Sequence, residues 1–99
     1  MTLAKKLKKL GAALTDLNGI LVKHNVNYST VVTPIRDKIM QGDISGVKEL
    51  LRYNGGMGSL NGVYICEDNG HKIAKEDEKQ VNEAYLHILE SVWKLAKKF

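Results

Sequence analysis

Cys66, Asp68 and His71 are the residues whose types and spacing come nearest to a reactive group. A cysteine nucleophile needs a base to raise its thiolate fraction and an acid to orient that base. Asn69-Gly70 is a strong signal for a two-residue hairpin turn. Such a turn would pair Asp68 with His71, Glu67 with Lys72 and Cys66 with Ile73, and it would project the three candidates from one face. Cys66 and His71 would then be only diagonal neighbours. A half-buried cysteine beside a solvated His-Asp turn accounts for the same residues. A small hydrolase using Cys66 and His71 therefore ranks third among the functions considered.

Glu83, His87 and Glu90 share one side of a helix, a spacing that can hold a metal ion. It is also what a solvated helix face contains. His24 and His71 lie far off, and the chain has no HExxH or CxxC motif. No metal, cofactor or catalytic residue is expected.

Asn54 to Gly62 holds four of the chain's nine glycines: Gly55, Gly56, Gly58 and Gly62. Such density points to positive φ or to close approach by another group. Phosphate-binding glycine loops usually open a helix. This run follows a helix-like segment and has no Lys-Ser/Thr pair after it, so it is not a P-loop. A tight turn with Met57 inserted, or a loop that touches a partner, remains. The partner-binding candidates are Gly55, Gly56, Met57, Gly58, Ser59, Asn61, Tyr64 and Lys72.

Charge is concentrated. The net +4 belongs to residues 1–25, where Lys5, Lys6, Lys8, Lys9 and Lys23 face Asp16, and the rest of the chain balances. Lys5, Lys6, Lys8 and Lys9, joined by Lys94, Lys97 and Lys98 if the ends meet, would suit phosphates, which makes nucleic acid the alternative partner. No arginine lies in either cluster. A basic amphipathic helix could also touch an anionic membrane, but its apolar seam is better spent on a core.

The elements that must position these groups are helical. Leu3, Leu7, Leu10, Leu14, Leu17 and Leu21 form a seam over a helix spanning 2–24. Asn25-Val26-Asn27 is a turn. A second helix runs from Tyr28 to Gln41, its regular part starting with Thr33 as cap and Pro34 in the first turn. Gly42 ends it. Asp43 or Ser45 caps a third helix through Val47, Leu50 and Leu51, with Asn54-Gly55 as C-cap. Val63–Ile73 has β character. The last helix, 75–98, carries one stripe of Val81, Tyr85, Ile88, Val92, Leu95 and Phe99. A second stripe holds Leu86, Leu89, Trp93 and Ala96. Antiparallel packing of the long helices would gather seven lysines at one end. Parallel packing would set the first-helix lysines against Glu76-Asp77-Glu78.

The fold class expected is mainly α: a small bundle of about four helices, with a glycine-rich loop and a short β-hairpin before the last helix. Residues 1–99 form a single domain. One cysteine and no signal-like or membrane-length apolar run suit a cytoplasmic protein with no membrane span, a monomer or weak dimer.

Gly55-Gly56-Met57-Gly58-Ser59-Leu60-Asn61, followed by apolar residues, Asn69-Gly70-His71 and a long final helix, resembles a family of small uncharacterised bacterial proteins that share a GGMGSLN-type segment. The likeness covers residues 48–99. The family often has Asp after the Asn, where this chain has Gly62. The resemblance implies a bacterial origin and a defined site at the glycine loop. It implies no catalytic residue or ligand.

The function this pattern favours is a non-enzymatic protein-binding accessory factor. Its concrete form would be a bacterial immunity protein that neutralises a toxin domain. A basic inhibitor would want an acidic target.

Overall fold

The computed structural model describes residues 2–54 and 59–99. Among these there are four α-helices, three short 3-10 turns and no strand. The helices are α1 (Leu3–Lys23), α2 (Ser29–Met40), α3 (Ser45–Leu51) and α4 (Glu78–Ala96). The mainly helical bundle is as expected. Among the described residues no helix is long and apolar enough to cross a membrane.

The seam of α1 is the spine of the core. Leu7, Leu10, Leu14, Leu17 and Leu21 are buried, while Leu3 lies outside the seam and is exposed. Thr2 caps the helix, its hydroxyl accepting the Lys5 N–H at 3.2 Å. At the other end, Asn25 takes the left-handed conformation with φ 56°. Its N–H donates to Val22 O, and Val26 N–H donates to Leu21 O at 2.8 Å, a Schellman closure. The end of α2 closes the same way. Gly42 has φ 85°, with Gly42 N–H on Ile39 O and Asp43 N–H on Lys38 O. Asp43 Oδ1 then accepts the Ser45 N–H at 3.0 Å at the start of α3, and the Ser45 hydroxyl together with this N–H holds its carboxyl below the ordinary range.

The start of α2 and the buried face of α4 differ from expectation. α2 starts at Ser29, so Thr33 is not its cap and Pro34 lies inside it. Pro34 and Thr30 are both exposed, so water can meet the Thr30 carbonyl that proline leaves without a donor. Thr33 instead accepts the Asn18 Nδ2 donor at 2.9 Å, pinning α2 to α1. In α4 the buried face is Asn82, Tyr85, Leu89, Val92, Trp93 and Ala96, whereas Val81, Ile88 and Leu95 are half-buried and Leu86 and Phe99 exposed. The face is rotated toward the second stripe because α4 covers residues 59–66 as well as α1. The expected cap at Asn54-Gly55 falls partly outside the described residues.

The long helices are antiparallel. Lys6 Nζ near the start of α1 donates to Lys98 O just beyond α4, at 3.2 Å. At the opposite end Lys72 N–H donates to His24 O at 2.8 Å. The molecule is 42 Å long and 21 Å across, and the seven lysines therefore share one end.

The expected hairpin does not form. Residues 67–69 make a 3-10 turn and Gly70 is left-handed, with φ 82°. Asn69 and His71 N–H groups both donate to Cys66 O, closing a tight loop instead of a ladder. Lys72 bonds to His24 and so has no backbone pairing with Glu67.

Glycines test this packing. A Cβ on Gly46 would sit 2.9 Å from Ile39 Cγ1, 3.1 Å from Lys38 Cβ and 3.2 Å from the Ile35 carbonyl, whereas one on Gly19 would meet nothing. Gly46→Ala should cost about 1–3 kcal/mol by overcrowding α2 against α3. Gly19→Ala should stabilise by up to about 1 kcal/mol. Urea melts of the two variants, showing opposite shifts in midpoint, check this.

Candidate functional site

Residues 59–74 have little regular structure, so their polar backbone groups need partners from elsewhere. Helix α4 supplies them. The Asn82 side-chain amide accepts the Ile65 N–H at 2.8 Å and donates to the Ile65 carbonyl at 2.8 Å. It does what a neighbouring strand would do, and this is why the apolar run 63–66 extends without a sheet. One turn on, Tyr85 Oη donates to Leu60 O at 2.8 Å. Two turns further, Trp93 Nε1 donates to Asn61 Oδ1 at 2.7 Å. Glu78 Oε2 accepts the Glu67 N–H at 3.0 Å. Asn82, Tyr85 and Trp93 are all buried.

The segment so held forms one wall of a cleft of about 580 Å³. The α1–α2 turn, with Asn25, Asn27 and Tyr28, forms the other. Ser59, Val63, Tyr64, Asn69 and His71 line the first wall. Among the described residues the lining carries no acid, lysine or arginine. Two clamps fix the walls: Lys72 N–H donates to His24 O, and Lys72 O lies 2.9 Å from His24 Nδ1. Asn69 Nδ2 donates to Tyr64 O at 3.0 Å, which shapes the loop behind the exposed Tyr64 side chain. A cleft of this size, uncharged and polar, suits a side chain or a small neutral group.

The predicted partner-binding residues separate here. Gly55, Gly56, Met57 and Gly58 lie outside the described residues. Ser59 is buried in the cleft wall, and Tyr64 stands exposed at its edge. Asn61 is exposed but is engaged with Trp93, and its Nδ2 donates to Asn54 Oδ1 at 3.2 Å. Lys72 works through its backbone. Cys66 is buried, and His71 Nδ1 accepts the Cys66 N–H at 3.2 Å, which puts the proton of the neutral ring on Nε2. Among the described residues no three His, Cys, Asp or Glu side chains come together as a metal site.

Sequence reasoning missed Asn82. The available signal was a carboxamide in register with Tyr85 and Leu89, on a face otherwise apolar. It also missed Asn25, Asn27 and Tyr28, whose role depends on a wall contributed by residues more than thirty positions away.

Fold and cleft define a small helical domain with a tethered irregular segment. The chain belongs to the family described as domain of unknown function DUF6966, which matches residues 23–74. Every residue lining the cleft falls within that stretch. No curated protein and no solved structure matches the chain.

Asn82→Ala would leave two buried backbone groups of Ile65 unpaired and should cost about 2–5 kcal/mol. Hydrogen exchange at the Ile65 amide should accelerate by the same free energy. A second prediction concerns alkali. Burial, with Tyr28 adding to it, raises the Tyr85 phenol well above its ordinary 10.0. An unfolded tyrosine ionises near pH 10 while the folded one stays neutral, so this contribution is complete below pH 10 and is lost as pH rises above it. Tyr85→Phe should flatten that alkaline limb in a stability-against-pH series.

Proposed function

We propose that this protein is a non-enzymatic, protein-binding accessory factor, acting through the glycine segment and residues 59–72. The observation that carries the proposal is Tyr64. Its side chain is 53 % exposed at the edge of an uncharged cleft, on a segment held by buried α4 side chains. A rigidly displayed tyrosine loses little entropy on binding, and tyrosine is enriched among interface hot spots. The family match adds support, because it spans the cleft and leaves out nearly all of α1 and all of α4. Met57 and Lys72 are further contacts in this proposal. The concrete form we favour is a bacterial immunity protein that binds a toxin domain.

Nucleic acid is the second reading, and one observation favours it. Antiparallel packing brings Lys5, Lys6, Lys8 and Lys9 to the same end as Lys94, Lys97 and Lys98. That end lies about 30 Å from the cleft, the length of α1. The two readings therefore use different surfaces and can be tested separately.

Capture of the partner from the native cell, followed by titration of variants, decides between them. Tyr64→Ala should weaken a protein complex by about tenfold or more. Charge reversal at Lys5, Lys6, Lys8 and Lys9 should leave it intact, and moderate salt should matter little. Steep salt dependence with loss in the lysine variants, and no effect of Tyr64→Ala, would transfer the function to nucleic acid.

A further inference from the structure

The lysine-rich end carries a second feature. Leu3 is 53 % exposed, Met40 57 %, Ile44 47 % and Phe99 37 %. They come from the start of α1, the end of α2, the α2–α3 turn and the residue run beyond α4. A shallow groove links the first two, lined by Leu3, Leu7, Ile39 and Met40 with Lys8 beside them. The Lys6–Lys98 bond brings the end of α4 to the same place.

The charge around this apolar cap is predominantly positive. In α1 the first acid is Asp16, more than three turns in, and no acid follows Glu90 in α4. Of the acids nearby, Asp37 pairs with Arg36 and Glu49 with Lys38, while Asp43 beside Ile44 keeps its negative charge. The surface thus offers apolar side chains inside a field of lysines. Nucleic acid would use the lysines and leave the apolar side chains in water. A broad surface with negative charge outside and hydrocarbon within matches both features at once.

We propose that this end of the bundle docks on membranes of anionic lipid, as a peripheral contact with its axis toward the bilayer. Leu3, Met40, Ile44 and Phe99 enter the interfacial layer, and Lys5, Lys6, Lys8, Lys9, Lys94, Lys97 and Lys98 meet the headgroup phosphates. The cleft at the opposite end stays free, so this docking is independent of the protein-binding proposal.

Co-sedimentation of the full chain with vesicles tests it. Vesicles of phosphatidylglycerol and phosphatidylcholine in equal parts should pellet the protein in low salt, and phosphatidylcholine alone should not. Leu3→Gln combined with Met40→Gln keeps charge and helix propensity and should reduce vesicle binding by about tenfold. Val22→Gln, an equally exposed exchange at the far end, should change nothing. Circular dichroism melts of each variant establish that the fold is retained. Absence of pelleting with the anionic vesicles would overturn the proposal. So would vesicle binding indifferent to the two glutamine exchanges, or binding to a DNA duplex or to polyglutamate in preference to vesicles.

Discussion

A single carboxamide sets the terms for half of this molecule. Asn82 sits on the buried face of α4 and pairs with both backbone groups of Ile65. An extended segment buried against a helix has no ladder to satisfy it, and unpaired backbone groups in a core are costly. The amide side chain resolves this because it carries a donor and an acceptor in the same plane. With Ile65 held, Tyr85 and Trp93 can reach Leu60 and Asn61 from positions one turn and three turns further along the same helix. Residues 59–66 are thus ordered by helix periodicity, although they are not helical themselves.

The other half of the fold rests on α1. Its leucine seam is covered by α2 on one side and α4 on the other. Close approach between α2 and α3 requires Gly46, and the two Schellman closures at Asn25 and Gly42 set where the chain turns back. The first of these turns also supplies a wall of the cleft. The capping chemistry of α1 and the shape of the cleft are therefore one feature, seen from inside and from outside.

The two ends of the bundle differ in chemistry as well as position. One carries a polar cleft whose described lining holds no acid, lysine or arginine, clamped by the reciprocal His24–Lys72 contacts. The other is basic and apolar.

The periodicity of α1 was legible in the sequence, because a 3.6-residue repeat of leucines has few other interpretations. So was the Gly42 stop, through turn chemistry that acts locally. The antiparallel sense of α1 and α4 was not legible, since both arrangements bury the same seams, and the distant pairings Lys6–Lys98 and Lys72–His24 decide it. Val63 to Ile73 looked like a hairpin because β-branched residues and Asn69-Gly70 carry that local preference. Tertiary structure overrode it: a side chain seventeen residues away outcompeted the neighbouring strand for Ile65. Local patterns determine which segments become helices and turns. Partners for an irregular backbone, and so the cleft itself, are settled only when remote elements meet, because a hydrogen bond depends on position in space and not on distance along the chain.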